Sequence, residues 1–144
     1  MEAESALSSL NHQSSIIPVA AGILIRGDRI LICQRHRSDP YGLQWEFPGG
    51  KVLKDESFEQ ALARELFEEL TIRAEVGAEV FRRRHRYSDR SVEVAFFRVD
   101  SFRGKPRNQV FEQIAWVGRS ELPSYKFLEA DLELVDRIAA GEIV

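Results

Sequence analysis

Three carboxylates on one short segment carry the first chemical signal in this chain. Glu65, Glu68 and Glu69 are spaced so that, on a helix of 3.6 residues per turn, all three point into the same sector. Like charges this close cost a helix roughly 0.2–0.5 kcal/mol per pair, and Arg64 is the only cation within the cluster. A hard divalent cation, Mg²⁺ or Mn²⁺, offsets such a cluster because it takes oxygen ligands and commonly shares them with substrate phosphates. Taken alone, the same three residues also describe a solvated acidic helix face. The surrounding spacing decides between the two.

That helix has a well-marked start. Ser57, with Gln60 three residues later, has the form of a capping box, in which each side chain satisfies an orphan backbone donor. Phe58, Leu62, Leu66 and Leu70 recur every four residues and, with Ala61, form an apolar stripe that can face a core. A tight turn at Gly49 and Gly50 and a short polar loop lead into it.

Read in full, the segment is Gly50, five residues, Glu56, seven residues, Arg64-Glu65-Leu66, one residue, Glu68-Glu69, one residue, Thr71-Ile72. It closely resembles the Nudix box, G-x5-E-x7-R-E-U-x-E-E-x-G-U, where U is aliphatic. Eight of its nine specified positions match, and the ninth has Thr71 where the family has glycine. That position lies near the helix end, where glycine readily turns left-handed, so Thr71 bears on the exit geometry and leaves the acidic positions intact. The lead-in Glu46-Phe47-Pro48-Gly49-Gly50-Lys51 is similar to that of MutT-type members, which hydrolyse nucleoside triphosphates. The likeness in the order of elements runs from about Ile17 to about Ile138.

The resemblance implies roles residue by residue. Glu65, Glu68 and Glu69 would hold one or more Mg²⁺ ions, with the backbone at Gly49 as a further ligand, and Arg64 would orient a glutamate. Glu56 would hold Arg64 or organise the loop with Gly50. Arg35 falls where an arginine approaches the substrate phosphates, and Lys51 follows the glycines where it can also meet phosphate. Tyr87 and Arg90 fall where the base pocket is lined. Asp131 falls where an Asn or Asp reads the base edge; the other reading is that it caps a helix. Members often carry a further metal-binding or water-orienting glutamate where this chain has Val110. Glu112 is the nearest carboxylate to that position, and is either its substitute or an exposed side chain.

Composition sets the frame. At 144 residues, 44% hydrophobic and net charge −3, the chain is the size of one domain with its own core. The acidic balance does not support general nucleic-acid binding. A single cysteine, Cys33, excludes an intrachain disulfide and fits a reducing compartment. No apolar run is long enough to span a membrane, and the N-terminus lacks signal-peptide character, so a cytoplasmic location is expected by elimination. Oligomeric state is not legible.

Residues 1–15 read as a flexible polar leader and 16–144 as one domain. Residues 16–25 and 30–33 read as a strand hairpin, followed by a polar loop over 36–44. Residues 72–87 and 91–99 read as two long strands around a turn at Ser88-Asp89-Arg90. Along the first, Arg82, Arg84 and Arg86 alternate with Arg83, His85 and Tyr87, which reads as a solvated hairpin or as positive charge drawing a polyanion inward. Residues 100–108 read as loop, 114–117 as a strand, 119–123 as a turn, and 128–140 as a closing helix with Leu132, Leu134, Val135 and Ile138 inward.

The expected fold is α/β, an α/β/α sandwich with a mixed sheet held between helices. The expected activity is Mg²⁺-dependent cleavage of a nucleoside triphosphate to monophosphate and pyrophosphate. An oxidised guanine such as 8-oxo-dGTP is the first choice, and CTP-type nucleotides come next. Nucleotide sugars, or a silent nucleotide-binding module, are the alternatives.

Overall fold

The computed structural model describes residues 15–144. The leader read for residues 1–15 thus lies outside the described residues apart from Ser15. Strand β1 (Ile16–Arg26) and β2 (Arg29–Gln34) form the expected hairpin, turning at Gly27, whose φ of +60° suits a residue without Cβ. Two short strands follow, β3 (Trp45–Glu46) and β4 (Gly49–Lys51), and then helix α1 (Phe58–Leu70). Beyond it come β5 (Arg73–Glu75), β6 (Glu79–Arg86), β7 (Ser91–Val99), β8 (Ser101–Arg103) and β9 (Gln113–Gly118). The last helix is α2 (Leu132–Ala139).

The central sheet is mixed and seven-stranded, in the order β3-β2-β1-β7-β6, with β4 beside β1 and β9 beside β2. Strand β1 is its hub. It runs parallel to β7 from Ile16↔Ser91 to Leu24↔Val99. Antiparallel, it pairs with β4 at Val19 to Ala21 and with β2 at Ile25 and Arg26.

Period-2 alternation along these strands feeds two separate cores. Ala20, Leu24, Leu31, Ala95 and Phe97 pack with Ala61, Leu62, Leu66 and Leu70 of α1. Ala21, Ile23, Ile30, Ile32 and Phe96 pack with Leu134, Val135 and Ile138 of α2. One helix therefore covers each face, which is the expected sandwich. Each buried leucine on α1 contributes roughly 1.5–3 kcal/mol of burial, enough to fix the helix against the sheet and its acidic side outward.

The local reading of α1 holds. Ser57 Oγ accepts from the Gln60 N–H at 3.0 Å and Gln60 Oε1 accepts from the Ser57 N–H at 2.9 Å. Thr71 closes the helix at φ 57°, ψ 31°, so a β-branched residue takes the left-handed geometry for which glycine is suited.

Elsewhere the boundaries shift. Residues 72–87 are not one strand: β5 and β6 are separated at Gly77, whose N–H donates to Arg98 O at 2.8 Å. Strand β5 pairs instead with β8, inside the stretch read as loop. The turn at 119–123 is a 3-10 helix, Arg119–Ser124. The closing helix is preceded by a 3-10 turn, Glu129–Asp131. At 3.6 residues per turn Leu132 lies roughly 110° around the helix from the middle of Leu134, Val135 and Ile138 and is 46% exposed, while those three stay buried.

Candidate active site

Pairing of β4 with β1 at Ala20↔Gly50 and Ala21↔Gly49 brings the glycine turn against the acidic side of α1. Space and a positive φ require glycine at position 49, and at position 50 a side chain would displace the Glu65 carboxylate. A Cβ on Gly50 would lie 2.4 Å from Glu65 Cδ, and one on Gly49, at φ +151°, would lie 2.0 Å from Ala20 O. The Gly49 N–H then donates to Glu69 Oε1 at 3.1 Å.

Arg64 organises the rest of the cluster. Its Nε and Nη2 donate to the two oxygens of Glu56 at 2.7 and 3.0 Å. Nη1 donates to Glu65 at 2.8 Å and to Glu68 at 3.0 Å, and Nη2 also reaches Lys51 O at 3.0 Å. Glu56 in turn accepts from the Leu53 N–H at 2.9 Å, tying the loop to the helix.

Glu69 stands apart from that network. Burial, with Glu65 and Glu46 nearby, pushes its carboxyl well above the usual range, against the pull of the Gly49 N–H. Glu65 stands close enough to Glu69 to disfavour its charged form, a repulsion that a bound cation would relieve. Among the described residues no three His, Cys, Asp or Glu side chains converge as a ready metal centre. The donor chemistry nevertheless fits a hard cation: paired carboxylates, partly buried, with only oxygen ligands offered.

A cavity of about 310 Å³ opens beside Glu69. Of the residues singled out in the sequence, Arg35, Gly49, Gly50, Lys51, Glu69, Tyr87, Arg90 and Asp131 all line it. Glu56, Arg64, Glu65, Glu68 and Glu112 do not. Tyr87 accepts the Ala130 N–H on its hydroxyl at 3.0 Å, and Tyr41 packs on it with ring centres 4.9 Å apart.

Asp131 is 5% exposed. It occupies the position that precedes α2 but makes no capping bond, which removes the capping reading. Burial raises its carboxyl well above the ordinary value, Glu46 adds to this, and the Phe47 amide and Arg35 oppose it.

Glu46, Asp39, Tyr41 and Phe47 also line the cavity; Asp39 and Tyr41 were not singled out by sequence reasoning, and Glu46 and Phe47 entered it only as part of the lead-in to the box, with no site role. Glu46 is the most consequential. Burial pushes it up to about 7 although Arg35 draws it down, with Arg35 Nη1 3.1 Å from Glu46 Oε1. Its local signals were its place at the head of the lead-in and a charged residue set between Trp45 and Phe47.

Glu112 lies outside the cavity, with its carboxylate held by Arg37 at 2.6 Å, which draws it down to about 2. Val110 itself lines the cavity. The cations of β6 are paired with neighbouring carboxylates. Arg82 and Arg84 pair with Glu93 at 2.8 and 2.6 Å, Arg83 with Glu133 at 2.8 Å and His85 with Glu129 at 3.0 Å.

The comparisons with known proteins agree with this geometry. The chain matches the NUDIX domain family over residues 17–138. It is 39% identical over 126 residues to a CTP pyrophosphohydrolase of Escherichia coli, covering 87% of this chain and 93% of that one. It is 36% identical to an 8-oxo-dGTP diphosphatase of Haemophilus influenzae, covering 85% and 91%. The solution structure of the E. coli ORF135 protein superposes with a TM-score of 0.78 at 36% identity, covering 87% and 89%. The crystal structure of a MutT NUDIX hydrolase from Burkholderia pseudomallei gives 0.78 at 25% identity, covering 85% and 98%.

The class defined by sheet, helix and box is that of hydrolases acting on acid anhydrides. The chain belongs to the Nudix family and is a MutT-like member of it. Among the described residues no helix is long and apolar enough to cross a membrane.

Proposed function

We propose that this chain hydrolyses a nucleoside triphosphate to the monophosphate and pyrophosphate. The observation that carries the reading is that Glu69 of the acidic helix and Asp131 line one and the same cavity, so that a nucleotide with its phosphates toward Glu69 could present its base to Asp131. Arg35, Lys51 and Arg90 line the same cavity and supply positive charge to the phosphates, with guanidinium forks suited to oxygen pairs. Arg64 holds Glu65 and Glu68 in place, and Glu56 holds Arg64. Mg²⁺ or Mn²⁺ held by Glu65, Glu68 and Glu69 would offset phosphate charge and make a bound water more acidic. Phosphoryl transfer then depends mainly on positioning and charge stabilisation, which these residues provide.

At the other end the Tyr87 ring gives the base an apolar face. Asp131, whose carboxyl burial biases toward its neutral form, both donates and accepts when it carries a proton, as an asparagine does. Cytosine presents a matching edge, with its N3 acceptor beside its amino donor, and the likeness to a CTP pyrophosphohydrolase supports that base first. Oxidised guanine, with O6 beside N1–H, is the second reading, supported by the likeness to 8-oxo-dGTP diphosphatases.

The test is a panel of CTP, dCTP, 8-oxo-dGTP, dGTP and a nucleotide sugar, with pyrophosphate and orthophosphate quantified separately. Pyrophosphate from a triphosphate supports the reading; turnover of the sugar alone, or binding without turnover, overturns it. Asp131→Asn should keep kcat/KM within about threefold at pH 7, while Asp131→Ala should lose about tenfold or more, in line with a lost base-edge pairing. Equal losses in both variants would contradict base-edge pairing by a donor-and-acceptor group at Asp131.

A further inference from the structure

The loop over residues 36–44 crosses from β2 to β3 in a conformation that its own sequence does not favour. Tyr41 and Leu43 both have left-handed backbones, with φ of 57° and 67°, although neither is glycine. Such residues persist where surrounding contacts over-determine them. Those contacts occur at both ends of the loop.

At one end Glu112 grips Arg37 three times. Its Oε1 accepts from the Arg37 N–H and from Nε, both at 3.2 Å, and Oε2 accepts from Nη2 at 2.6 Å. Glu112 is itself fixed, because its own N–H donates to Gln34 O at 2.9 Å. Just before it, Asn108 Oδ1 accepts from the N–H groups of Val110 and Phe111 at 3.2 and 2.7 Å. At the other end the Tyr41 hydroxyl donates to Asp89 at 2.7 Å. In between, Arg35 Nε donates to Pro40 O at 2.8 Å.

The two segments joined by Arg37 and Glu112 both line the cavity, Asp39 and Tyr41 from one and Val110 and Phe111 from the other. Neither Arg37 nor Glu112 lines it. We propose that Arg37 and Glu112 are positioning residues: their ion pair latches the 36–44 loop to the 108–112 loop and so holds Arg35 and Tyr41 in register with a bound nucleotide. This rests on the triphosphate reading above and adds a residue pair that acts on substrate affinity and not on the chemical step. The carboxylate two positions beyond Val110 thereby acquires a role unrelated to metal.

The experiment compares Arg37→Ala and Glu112→Gln with the unmodified full-length chain in two measurements. The first is amide hydrogen exchange in the nucleotide-free protein at Asp39 and Leu43, whose N–H groups donate to His36 O and Arg35 O at 2.9 Å each. The second is steady-state hydrolysis of whichever triphosphate the panel identifies. Both variants should exchange faster at these amides and show KM raised about threefold to fivefold with kcat held within about twofold, the size expected of an ion pair with one exposed partner. Arg37 is exposed, so its truncation leaves both cores intact. Unchanged exchange overturns the latch whatever the substrate. A fall in kcat at unchanged KM overturns it as well and returns Glu112 to the reacting groups. Absence of hydrolysis by the unmodified protein would refute the triphosphate reading, while the exchange measurement would still decide on the latch.

Discussion

Replacing Glu46 with glutamine should change how stability responds to pH. Burial raises this carboxyl from its ordinary 4.5 to about 7, so the unfolded chain gives up its proton first as pH rises. The contribution to stability is therefore full below about pH 4.5 and is lost as pH climbs through about 7. At about 1.4 kcal/mol per pH unit, the upper bound of that loss is about 3 kcal/mol. The Glu46 side chain is 18% exposed and faces Arg35, which reduces the expected figure to about 2 kcal/mol. Glu46→Gln abolishes this loss, and because Glu46 also raises Glu69, the indirect effect has the same sign. Leaving Arg35 without its partner adds a nearly constant cost at every pH. Denaturant unfolding of both proteins from pH 5 to pH 8.5 separates these effects. The stability of Glu46→Gln relative to the parent should rise by about 2 kcal/mol across that range. Parallel curves would refute the assignment of a buried, proton-retaining Glu46.

Thr71→Gly should stabilise the protein by about 1 kcal/mol, read as a raised Tm, because glycine adopts the left-handed exit without a Cβ penalty; a loss of stability would show that the Thr71 hydroxyl bond to Leu70 O, 2.6 Å, outweighs backbone strain. Arg64→Lys keeps the charge but not the fork that joins Glu56, Glu65 and Glu68. Its apparent Mg²⁺ affinity or kcat should fall by about tenfold to a hundredfold, and parental kinetics would show that charge alone suffices.

How much was legible follows from how local each signal was. The capping box, apolar stripe and box spacing of α1 are all contained within a few turns, and the helix stands where they place it. The alternation of β1 and β7 likewise marks both buried faces. The break between β5 and β6 is set by Arg98, whose carbonyl approaches Gly77 so closely that a Cβ there would lie 2.6 Å away, and whose position is fixed by strand pairing. Leu132 is apolar and adjoins the buried stripe in sequence, yet at 3.6 residues per turn it lies roughly 110° from the middle of that stripe, an offset that a count of apolar residues misses. Glu46 has no distinctive spacing because its environment is assembled from Arg35, Glu69 and Asp131, all distant in sequence. Glu112 lies near the expected carboxylate position, but its partner Arg37 is 75 residues away.

Comparing pyrophosphate release by the parent and by Glu69→Gln across a Mg²⁺ titration tests the central claim most directly. The account predicts Mg²⁺-dependent pyrophosphate release by the parent, reduced by about a thousandfold in the variant, the loss expected when a preorganised charged group at the reaction centre is neutralised. Pyrophosphate release that persists without a divalent cation, or that survives Glu69→Gln unchanged, would contradict it.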